Sequence, residues 1–127
     1  MYQRKLKQDI RCPLEYGLSV LGGKWNSRIL CILGAQGPLR YSALRDALGN
    51  VTDAVLSAAL RSLAEEDMVV RVPYEEIPPR VEYDLTERGL SALPVLKAIA
   101  LWAGAIPRAN VPVDAPHCGH CDYPDRS

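Results

Sequence analysis

The apolar residues of this chain change their spacing twice, and that change limits the fold more than any single motif does. Leu56, Leu60 and Leu63 recur at helical steps. Val70 and Val72, then Val81, Tyr83 and Leu85, alternate with polar or charged neighbours as strands do. Leu90, Leu93, Leu96, Ala100 and Ala103 return to steps of three and four. A helix, a hairpin joined through residues 73–80, and a long apolar helix are therefore expected in that order. Thr52, after the Gly49-Asn50 turn, is placed to cap a helix reaching about Asp67, and Thr86 to cap the last one. Pro94 is expected to kink or split that last helix, because it removes a backbone donor and clashes with the preceding turn.

Upstream the pattern is helical throughout. Leu14, Leu18 and Leu21 follow Pro13, which suits the first position of a helix, and Gly22-Gly23 closes it. Trp25, Ile29 and Leu33 form a second stripe that stops at Gly34 and Gly37-Pro38, and Leu44 and Leu48 mark a short third helix. Three helices, a turn, a fourth helix, a hairpin and a C-terminal helix make a mainly α fold with a small β-hairpin wing, the layout of a winged helix-turn-helix. In that layout the helix after the short turn enters the major groove of DNA and the hairpin touches the flanking backbone.

Three regions divide the chain: a basic N-terminal arm at 1–10, the winged-helix domain at 11–106, and a tail at 107–127 where Pro, Asp, His and Cys replace aliphatic residues. No apolar run approaches the roughly 20 residues that span a bilayer, and the basic N-terminus lacks the apolar stretch of a secretory signal, so a cytoplasmic protein is expected. Fifteen Lys plus Arg balance fifteen Asp plus Glu, which removes any argument from net charge for nucleic-acid binding. Only the placement of charge can carry that argument.

CPLEYGLSVLGGKWNSRILCILG, GPLRYSALRDAL, VTDAVLSAALRSLAEEDMV and VPYEEIPPRVEYDLTERG together resemble the HxlR family over about residues 11–104, with PPRVEYDLTERG and Gly22-Gly23-Lys24-Trp25 as the most specific runs. The resemblance implies a MarR/HxlR-like homodimeric regulator of bacterial genes that binds double-stranded DNA, pairs through its terminal helices, and responds in many cases to electrophiles or oxidants.

Opposite Leu56 and Leu60, the recognition helix offers Thr52, Asp53, Ala54, Ser57, Ala58 and Arg61. Small side chains let a helix approach the bases, Arg61 has the reach for guanine or a phosphate, and Ser57 bonds to either. Arg71 and Arg80 flank the hairpin as wing contacts, and Arg40 precedes the third helix, placed to grip a phosphate. Family members commonly carry a basic residue where this sequence has Asp53 and Ala54. Asp53 is expected to repel the DNA backbone unless it accepts a hydrogen bond from cytosine.

Cys12 stands just before Pro13, where the positive end of a helix and Arg11 favour the nucleophilic thiolate, and the resemblance points to a sensing cysteine there. Cys31, between Leu30 and Ile32, reads as a small core residue. Cys118 and Cys121 are spaced for a disulfide or for two zinc ligands, with His117 and His120 as further candidates. No cofactor is otherwise expected. Two other functions fit parts of the sequence: an interaction module that kept the fold without its basic face, and a thiol-disulfide oxidoreductase built on Cys118 and Cys121. The second lacks the strand and helix such a site needs around it.

Overall fold

A computed structural model describes residues 12–105 of the chain. The expectations for the arm at 1–10, for Arg11, and for the tail with His117, Cys118, His120 and Cys121 lie outside the described residues. Among the described residues, five helices and three short strands follow one another: α1 (Pro13–Leu21), α2 (Lys24–Gln36), β1 (Leu39–Arg40), α3 (Tyr41–Leu48), α4 (Asp53–Glu65), β2 (Val69–Tyr74), β3 (Arg80–Leu85) and α5 (Glu87–Ala105). The strands form one antiparallel sheet in the order β1-β3-β2, with Leu39 opposite Tyr83 and Arg71 opposite Tyr83 on the other side.

The core forms around α2, whose Ile29, Leu30, Ile32 and Leu33 are all buried. Leu44 and Leu48 of α3, Leu56, Leu60 and Leu63 of α4, Leu85 at the end of β3, and Leu93 and Leu96 of α5 close over them. At roughly 1.5–3 kcal/mol for each fully buried aliphatic side chain, this cluster dominates the folding of the domain. Gly34 admits a close approach: a Cβ there would press into the Leu93 methyl groups, so α2 and α5 pack against each other through an absent side chain.

Caps and turns fix where each helix stops. Thr52 accepts a hydrogen bond from the Val55 amide at 3.2 Å, and Thr86 does the same for Gly89 at 3.0 Å, as the sequence predicts. Gly37 and Gly49 end α2 and α3 with φ of 82° and 85°, a region open to glycine without strain. α4 stops at Glu65, two residues before the expected Asp67. Asp67 takes a left-handed φ of 60°, its amide bonds to the Ala64 carbonyl at 3.0 Å, and the Met68 amide reaches back to Leu63 at 2.9 Å. That pair of bonds is a Schellman ending, with buried Met68 and Leu63 as its apolar contact.

Three details differ from the expectation. β1 is a third strand, only two residues long, that pairs across to β3. The hairpin strands run further than 73–80 allowed, because β2 lies at a sheet edge, where Pro73 need not donate to a ladder. α5 is not split by Pro94: the ring sits on the exposed face while Leu93 and Leu96 beside it stay buried, and that packing holds the helix through the missing bond.

α5 leaves the sheet so closely that a Cβ on Gly89 would strike the Met68 carbonyl, a backbone atom that already accepts the Thr86 amide at 3.1 Å. Gly89→Ala is therefore expected to lower the unfolding free energy by about 1–3 kcal/mol in urea denaturation. An unchanged midpoint would mean that α5 does not approach β2 in this way.

Candidate nucleic-acid interface

α4 presents Ala54, Ser57, Ala58 and Arg61 to solvent at steps of three and four, while Leu56, Leu60 and Leu63 anchor its other side. Burial of the leucines leaves a face of short side chains with one arginine at its C-terminal half. Ser57 and Arg61 border a cleft of about 270 Å³ whose opposite wall is Arg71 and Tyr83 of the wing strands. Arg61 and Arg71, ten positions apart in sequence, thus meet at one concave surface. Both are exposed, as is Arg40 at the N-cap of α3.

Asp53 is neutralised within the chain. Its carboxylate accepts from Arg45 Nη1 at 3.0 Å and from the Tyr41 hydroxyl at 3.0 Å, both on α3. The Arg45 hydrogen bond first, and the Tyr41 bond second, hold this carboxyl below the ordinary aspartate value. Tyr41 also lies 3.5 Å from Ser57 Oγ, so the first turns of α4 are laced to α3 by polar contacts. Tyr41 and Arg45 carry no signal in the sequence pattern, since nothing in a helical stripe says which neighbouring helix faces the start of α4. Thr52 spends one acceptor on its cap, which leaves its hydroxyl proton to donate.

Arg80 has partners of its own. Its guanidinium pairs with Glu76 at 2.8 Å, lies 3.9 Å from Glu82, and stacks 4.2 Å from the centre of the Tyr74 ring. Glu82 beside the Tyr74 hydroxyl pushes that phenol upward. Arg80 therefore closes the wing on itself, whereas Arg71 stands open on the side towards α4. At the other end of the domain, Cys12 is exposed at the N-cap of α1, and the Tyr16 amide bonds to its carbonyl at 3.3 Å. Cys31 is half-buried against the core.

The family model described as HxlR-like helix-turn-helix matches residues 20–110. The chain belongs to that family. Among its relatives is the regulatory protein MalR of Fusobacterium mortiferum, 36% identical over 102 residues that cover 80% of this chain and 96% of that one. Solved structures of similar fold include the reduced form of the transcriptional regulator YodB from B. subtilis, with a TM-score of 0.69 and 30% identity over 74% of this chain and 92% of that one. The redox regulator HypR in its oxidised form superposes with a TM-score of 0.66 and 35% identity, over 75% of this chain and 97% of that one. This HxlR-like chain is a DNA-binding transcriptional regulator on a winged-helix fold, as the sequence resemblance implies. No described helix is long and apolar enough to cross a membrane.

The Arg45–Asp53 pair gives a direct check on how the HxlR-like domain presents α4. A depressed carboxyl pKa stabilises the folded chain above the unfolded value, ordinarily 3.8, and that contribution is lost as pH falls through the lower folded value. The Asp53 side-chain carbon, followed by NMR from pH 7 downwards, is expected to titrate below 3.8, and Arg45→Ala to bring its midpoint back up towards 3.8. A wild-type midpoint at or above that value would mean the pair does not form in solution.

Proposed function

We propose that this regulator reads an inverted-repeat operator as a homodimer, with the Ala54–Ser57–Ala58–Arg61 face of α4 in the major groove and Arg71 on the adjoining backbone. The observation that carries this reading is the convergence of Ser57, Arg61 and Arg71 on one cleft, together with the internal neutralisation of Asp53. The small residues let the backbone of α4 approach base edges. Arg61 is matched to guanine or to a phosphate beside it, and Arg40 to a further phosphate. Arg80, already held by Glu76, shapes the wing. Asp53, with its charge offset by Arg45, is compatible with the DNA surface and keeps a free oxygen for a cytosine amino group.

Dimerisation through the terminal helices is supported by their surfaces. Leu14 and Leu18 of α1 are exposed, as are Val95, Ile99, Leu101 and Trp102 of α5, and an apolar cleft of about 590 Å³ runs between the two helices. A contiguous apolar patch of this kind marks an association surface. A two-fold dimer fits half-sites whose centres lie roughly 34 Å apart, or a multiple of that.

Cys12 is the proposed sensor. It is exposed and sits where the first turn of α1 begins, so a bulky adduct on its sulfur is placed to disturb a helix of the dimer surface. Two structures of similar fold, HypR and YodB, come from regulators solved in defined redox states. Addition to an electrophilic alkene forms an S–C bond and passes the thiol proton to the neighbouring carbon.

Fluorescence anisotropy with the DNA upstream of the protein's own gene tests both parts. Arg61→Ala and Arg71→Ala are each expected to weaken binding, and removing a cation that pairs with a phosphate should flatten the log K against log salt slope by about 0.9. N-ethylmaleimide is expected to change wild-type affinity and to leave Cys12→Ser unaffected. Arginine variants with wild-type affinity would remove this interface, and an equal response of Cys12→Ser would remove the sensor.

A further inference from the structure

α4 is held at both ends by a tyrosine hydroxyl. At its start Tyr41 bonds to Asp53. At its end the hydroxyl of Tyr16, from α1, donates to Glu66 Oε2 at 2.7 Å and accepts from Arg88 Nη2 of α5 at 2.6 Å. Glu66 is the C-cap of α4, and its own amide continues the helix to the Ser62 carbonyl at 3.1 Å. One phenol thus joins three elements whose residues lie 50 and 72 positions from it in sequence. The Tyr16 ring packs against the core on the rim of a small cleft of about 210 Å³ that Arg88 and the buried Met68 also line. The ring packs against the core and lies 5.8 Å from the Arg88 guanidinium carbon, while the hydroxyl makes the bonds to Glu66 and Arg88, so removing the hydroxyl alone probes the link with the ring left in place.

We propose that Tyr16 is a positioning residue for DNA recognition, whose hydroxyl ties the first turn of α1 to the C-terminal end of α4. The amide of Tyr16 bonds to the Cys12 carbonyl, so the chain of contacts from the N-cap of α1 to the recognition helix contains two hydrogen bonds, both made by this residue. A displacement of the first turn of α1 pulls on Glu66 directly, at the end of α4 that carries Arg61. The proposal rests on the reading of α4 as the DNA-contacting helix. It adds the regulation of that helix by a residue that touches no DNA.

Tyr16→Phe keeps the ring and deletes both hydroxyl bonds. Hydrogen exchange of residues 62–68 in the DNA-free protein is expected to accelerate by about two- to tenfold, the loss of one or two hydrogen bonds. Binding to the upstream DNA is expected to weaken by a similar factor with an unchanged salt slope, since every phosphate-pairing cation is still in place. Glu66→Ala, which removes the acceptor, should likewise accelerate exchange at residues 62–68 and weaken binding. Wild-type exchange and affinity in Tyr16→Phe would overturn the link, as would a rise in exchange spread evenly over the chain with a lowered melting temperature, which marks a general packing defect. Faster exchange at 62–68 with no change in DNA affinity would also overturn the positioning role. If Arg61→Ala and Arg71→Ala bind as wild type while Tyr16→Phe weakens binding, the assigned interface fails and the link stands.

Discussion

Burial of the broad Ile29–Leu30–Ile32–Leu33 face of α2 is the constraint from which the other elements take their places. Ile29, Leu30, Ile32 and Leu33 cannot all face one neighbour, so α3, α4, α5 and the sheet must close over that face to keep water away from them. α4 is one of those walls. Its leucines point inward because the core requires them, and the helical period then fixes which residues point outward. The proposed DNA-reading face is thus the complement of a packing requirement, and its small side chains can change without disturbing the core.

Charge is handled locally in a chain whose total is zero. Asp53 is offset by Arg45, and Arg80 by Glu76 and Glu82. These are exposed or half-exposed pairs, each contributing little to stability. Their effect is on the field presented to a polyanion: they cancel an acidic group near the start of α4 and withdraw one arginine from the wing, leaving Arg61 and Arg71 as the open cations that share the cleft beside α4. A neutral protein can therefore carry a positive recognition surface.

Much of this architecture is legible in the residues. The leucine stripes, the Thr52 and Thr86 caps and the glycine stops give the helix order, and the valine alternation gives the wing. Features that depend on contacts between distant positions are not legible. β1 is two residues long and exists only because Leu39 and Arg40 find β3 more than forty positions later. Asp53 reads as a repulsive charge until α3 brings Arg45 to it. Pro94 reads as a break, yet its exposed side of α5 bears the lost bond while Leu93 and Leu96 hold the buried side. The bridge from Tyr16 to Glu66 joins two unremarkable polar residues whose pairing no periodicity encodes.

The central claim, that α4 of a two-fold dimer lies in the major groove, is tested most directly by dimethyl sulfate footprinting on the DNA upstream of the gene, because the reagent reports guanine N7 on the major-groove edge. Protection in two patches of inverted sequence, with centres roughly 34 Å apart or a multiple of that, is the predicted result. Bound DNA with every guanine N7 still reactive, or with a single protected patch, would contradict it.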